Sequence, residues 1–142
     1  MLFAKRFRRR ETPWEVVDTK QVAPIPMWDE DEELEITRMH PTNTTFTFTH
    51  ELRDIADLQK AVLFARHKLM QEAVRLQFNI LLSEGWHCTL MRKGSRYRVE
   101  VAYSGRPAYT LTKVASLPQP PFLGVLEHYH PQLRGHLSPS PP

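Results

Sequence analysis

Residues 52–80, LRDIADLQKAVLFARHKLMQEAVRLQFNI, decide the fold class. Leu52, Ile55, Leu58, Val62, Ala65, Leu69, Ala73, Leu76 and Ile80 recur at spacings of three or four, which aligns them along one side of an α-helix. Thr49 is placed to cap its start, Glu51 and Asp54 suit the positive end of the helix dipole, and Gly85 is placed to end it. At 1.5 Å per residue such a helix runs about 50 Å, long for a small domain, so a bend or break is expected near residues 66–70. A second stripe, Ala56, Leu63, Met70, Val74, Phe78 and Leu81, widens the apolar face. One thin sheet does not need so wide a face. Leu63, Met70, Val74, Phe78 and Leu81 are therefore a candidate protein interface, serving self-association or a partner chain.

Working outward, the period of the apolar pattern changes from helical to twofold. Thr44–Thr49 alternates threonine with phenylalanine and reads as a strand, as does Glu35–Met39. With His40-Pro41-Thr42-Asn43 as a turn they form a hairpin carrying Phe46 and Phe48 on one face. Downstream, Trp86, Cys88 and Leu90 share a face, as do Tyr97, Val99, Val101 and Tyr103, and Tyr109 and Leu111 continue the pattern. Glycine-containing turns at Arg92–Ser95 and Ser104–Pro107 divide this stretch into a three-stranded meander. The expected fold is an α+β domain of order β-β-α-β-β-β, a long amphipathic helix packed on an antiparallel sheet with one wet side. It occupies residues 34–114, between a flexible basic and acidic N-terminal arm, 1–33, and a Pro-rich extended C-terminal tail, 115–142.

Charge is distributed unevenly along the 142 residues, whose formal net charge is +3. Residues 1–33 hold six Lys/Arg and eight Asp/Glu, whereas residues 34–142 hold thirteen and eight. The excess of the second part sits in residues 86–113, where Arg92, Lys93, Arg96, Arg98, Arg106 and Lys113 face Glu100 alone. On an alternating strand Arg96 and Arg98 point away from Tyr97 and Val99, onto the open side of the sheet. Arginine forks bind phosphates in pairs of hydrogen bonds, so Arg92, Lys93, Arg96, Arg98 and Arg106 are candidate contacts for an anionic surface, either nucleic acid or acidic lipid. In the arm, Lys5, Arg6, Arg8, Arg9 and Arg10 around Phe7 extend the same reading, and the run also suits a nuclear import signal.

Catalytic chemistry finds little support in the residue pattern. The five glycines are spread over turns and make no phosphate loop. His128 and His130 share one side of an extended chain but have only Glu127 nearby, so no metal ligand set is assigned. His87 and the single cysteine, Cys88, are adjacent on a strand and point to opposite faces, so they do not form a nucleophile–base pair. No cofactor or small-molecule substrate is implied. Pro118–Pro121 has a PxxP spacing that SH3-like domains read.

A basic arm, a proline and acidic linker and a compact α+β body are together similar in layout to small viral matrix proteins, which bind membrane and nucleocapsid. The likeness is one of layout and charge, and no residue is carried over from that class. The expectation is thus a non-enzymatic structural or adaptor protein, engaging an anionic partner through its basic sheet face and arm and associating through spare helix surface. The alternatives are a protein-only assembly subunit whose charges solvate it, and a small enzyme. A lone cysteine, the absence of an apolar stretch after Met1–Arg10 and the absence of a membrane-length apolar run place it inside the cell, in cytoplasm or nucleus, with peripheral membrane contact as an alternative.

Overall fold

A computed structural model of the chain describes residues 13–29, 33–54 and 56–127. The elements run β1 (Glu15–Pro26), β2 (Ile36–Met39), β3 (Thr44–Leu52), α1 (Asp57–Arg75), β4 (Ile80–Lys93), β5 (Arg96–Thr110) and a short 3₁₀ turn (Leu123–Glu127). The expected α+β architecture is present: one long helix packs on a five-stranded antiparallel sheet. The element order, β-β-β-α-β-β, differs from the expected one at both ends.

The centre of the sheet is the β4–β5 hairpin. Lys93 pairs with Arg96 across a two-residue turn, and Gly94 there has φ 62°, the left-handed conformation that a tight hairpin needs at this place. The second expected turn, Ser104–Pro107, is not a turn: β5 runs through it to Thr110. Its partner β4 shifts register between Leu81 and Glu84 at that point. A Cβ on Gly105 would lie 3.0 Å from the Ser83 carbonyl oxygen, so the glycine serves a bulge instead of a reversal.

On one side of this hairpin β1 pairs with β4, from Glu15 opposite Arg92 to Pro26 opposite Ser83. On the other side, β2 and β3 both pair with β5. They are consecutive pieces of one edge, interrupted at residues 40–43, and the expected β2–β3 hairpin does not form. The folded unit therefore reaches outside 34–114. It takes in β1, from within the stretch read as an arm, and Leu117, Leu123 and Leu126 from the stretch read as a tail, all three packed on the core. The Trp86 indole N–H donates to the Pro121 carbonyl at 2.8 Å and secures that return.

The helix is shorter than its stripe suggested. Asp57 Oδ2 accepts from the Arg53 and Asp54 amides, and Asp54 Oδ1 accepts from Ala56, so Thr49 in β3 has no part in the start. At the other end Gln77 adopts φ 73°, its amide reaches Val74 O, and the Phe78 amide reaches Ala73 O. This is a Schellman closure with glutamine where glycine is usual. Arg38 Nη2 donates to the Leu76 and Gln77 carbonyls and completes the stop. Gly85 does not end the helix; it lies in β4, where a Cβ would meet Pro24 N at 2.5 Å and Val22 O at 2.6 Å. β1 thus lies across a site only glycine allows.

The inward side of α1, Leu58, Ala61, Val62, Ala65, Leu69 and Met70, is buried on Trp86, Cys88, Leu90, Tyr97, Val99, Val101 and Tyr103. Each fully buried leucine or valine contributes about 2 kcal/mol by leaving water. A polar cluster is buried beside that core. Glu84, wholly buried, accepts from Arg66 Nε at 2.6 Å and from the Tyr103 hydroxyl at 2.5 Å. Burial first, then the adjacent Glu84, holds the Tyr103 phenol well above its ordinary pKa. Helix and sheet are thereby tied in one register.

Candidate functional site, an open sheet edge beside an aromatic groove

β3 forms one edge of the sheet. Its register with β5 runs from Thr44 opposite Gly105 to Leu52 opposite Tyr97 without a shift. Among the described residues no strand pairs with its outer side. Nine residues long, it contains no proline, glycine or lysine, and Glu51 is its only charge. Such a strand presents a row of outward N–H and C=O groups in the geometry a further strand would take.

Its two faces differ. Thr45, Thr47 and Thr49 are exposed on the open face of the sheet, with the Thr45 and Ser104 hydroxyls 2.7 Å apart. Phe46, Phe48 and His50 lie on the helix side. There the Phe48 and Phe64 rings approach to 4.9 Å between centroids, and Phe46 and Phe48 to 6.0 Å. Phe48, His50, Asp57, Lys60, Ala61 and Phe64 line a groove of about 420 Å³ between β3 and α1. Phe64 keeps 44% of its surface exposed, and Lys68 Nζ stands 5.4 Å above its ring. Backbone valences on one rim and aromatic rings on the other suit an extended peptide.

The expected helix interface is distributed differently. Leu63 and Val74 are exposed, Met70 is buried, Phe78 lies beyond the helix and Leu81 is a buried residue of β4. Those five residues do not form one surface. Sequence reasoning missed the groove and edge; the signal for it was a nine-residue Thr/Phe strand with no proline, glycine or lysine and a single charge.

The basic residues expected to meet an anionic partner are largely engaged, and the register sets Arg92 opposite Tyr97, on the helix side of the sheet and not with Arg96 and Arg98. Arg96 makes a two-pronged bond to Glu51, at 2.8 and 3.1 Å, and the hydrogen bond to Arg96 lowers the Glu51 pKa. Arg92 pairs with Glu15 at 3.6 Å. Arg98 stacks on the Trp14 ring at 4.3 Å, with Arg96 at 5.4 Å from the same ring. Arg106 Nε donates to the His40 carbonyl at 2.9 Å. The Arg98 Nε is buried and has no hydrogen-bond partner among the described residues. Lys5, Arg6, Arg8, Arg9 and Arg10 lie outside the described residues, as do His128 and His130.

The Cys88 thiol is fully buried, and burial pushes its pKa up to about 12, so it stays protonated and unreactive at neutral pH. Among the described residues no group of three or more His, Cys, Asp and Glu side chains is placed to hold a metal ion, and no helix is long and apolar enough to cross a membrane. Comparisons of the chain with protein-family models, with curated proteins and with solved structures gave no match.

Proposed function

We propose that this protein is a non-catalytic assembly or adaptor module that binds an extended protein segment at β3. The observation that carries this reading is the unshifted nine-residue edge of β3 standing beside the Phe48–Phe64 groove. Strand addition supplies main-chain hydrogen bonds, and alternate side chains of the added segment enter the groove. A labelled peptide copying residues 43–53 serves as a probe, since its own alternation matches the edge. Saturable binding by fluorescence anisotropy, insensitive to added salt, is the expected result; no binding at any protein concentration would sink the reading.

A second reading, contact with an anionic partner such as nucleic acid or acidic lipid, draws support from one observation. Arg96 and Arg98 converge on Trp14, and the Arg98 Nε has no hydrogen-bond partner among the described residues. Against it, Glu51 and Glu15 already balance Arg96 and Arg92. A salt titration of binding to single-stranded DNA and to phosphatidylserine vesicles tests it. Replacing Arg96 and Arg98 with alanine should flatten the salt dependence, and equal slopes would discard the reading.

A further inference from the structure

We infer that the segment bound at β3 is β3 of a second copy of this chain, added antiparallel about a twofold axis. The inference rests on the protein-binding reading of the edge given above and names its occupant.

β3 is self-complementary. In an antiparallel pair, directly opposed residues share a face of the sheet. Setting Thr47 against its own counterpart places Thr45 against Thr49, Phe46 against Phe48 and Thr44 against His50. Threonines then meet threonines on the open face, and phenylalanines meet phenylalanines on the helix side. A slip of one residue would oppose phenylalanine to threonine throughout, which the two faces forbid. A twofold axis at Thr47 perpendicular to the sheet keeps both α1 helices on one side, so the two Phe48–Phe64 grooves meet at the junction and cover one another's exposed rings. A surface that matches itself under such a rotation closes as a dimer and uses up both open edges.

Charge supports the same occupant. From Thr44 to Thr49 the strand carries no ionisable side chain, so the paired strands themselves oppose no like charges. The other edge does not offer this match. β1 carries Glu15, Asp18 and Lys20, two register shifts and Pro24 and Pro26, so it cannot present an unbroken outer row of donors.

The test is a charge exchange at the proposed axis, on the full chain. Thr47 is exposed and points off the open face, so Thr47→Lys and Thr47→Glu should both fold and melt near the wild type. Sedimentation velocity of the wild type across micromolar to millimolar concentration should show a monomer–dimer equilibrium. Each variant alone brings like charges together at the axis and should weaken dimerisation about fivefold. An equimolar mixture of the two variants, opposing lysine to glutamate, should recover wild-type association or exceed it. A wild type that stays monomeric throughout would overturn the inference, and so would variants that dimerise as tightly as the wild type. The labelled 43–53 peptide separates the two readings. If it binds a wild type that remains monomeric, the edge serves a different chain and only the second-copy inference falls; if it also fails to bind, both fall.

Discussion

The two edges of this sheet are built to opposite specifications. β1 is a long edge strand interrupted by register shifts at Val16/Asp18 and Val22/Ile25, studded with charge and ended by prolines. β3 is shorter, unshifted and alternates threonine with phenylalanine. The first has the features by which proteins keep an edge from pairing with other chains, and the second has only the single charge of Glu51. Both edges lean on the same β4–β5 hairpin and the same core, so stability does not explain the difference. The molecule closes one side of its sheet and leaves the other open.

The largest effect should come from breaking what both edges share. Glu84→Gln leaves Arg66 largely buried against a neutral partner, and the fold should lose about 3 kcal/mol. Urea denaturation reads that loss, and amide exchange should accelerate at β1 and β3 together. A smaller effect should separate the edges. Gly85→Ala drives a methyl into the β1 backbone at Val22 and Pro24 and should cost about 2 kcal/mol. Its accelerated exchange should be confined to β1 and the facing part of β4, with β3 and its groove unchanged. Equal acceleration at both edges would mean that they are not independent.

Much of the interior was legible in the chain. The twofold alternation of Tyr97, Val99, Val101 and Tyr103 named the buried face of β5 correctly, and the helical spacing from Leu58 to Ala73 named the side of α1 that meets it. The errors have physical causes. β1 was hidden because the charges, prolines and bulges that guard an edge are the same signals that mark a loop. The helix was read too long because Ile80 and Leu81, buried strand residues, fall at helical spacing from Leu76 and Phe78. Gly85 and Gly105 look like punctuation in the sequence, yet each makes room for backbone or side chains from elsewhere in the fold. The basic face was overstated because the carboxylates that hold Arg92 and Arg96 stand far back in the chain, at Glu15 and Glu51, where only the sheet register brings them near. The arm itself lies outside the described residues.

Hydrogen exchange of the full chain at low and at high protein concentration tests the contrast between the edges most directly. Amides of Thr44–Leu52 should gain protection as concentration rises while those of Glu15–Pro26 exchange at unchanged rates. Rates independent of concentration at both edges, or protection gained at β1 instead, would contradict it.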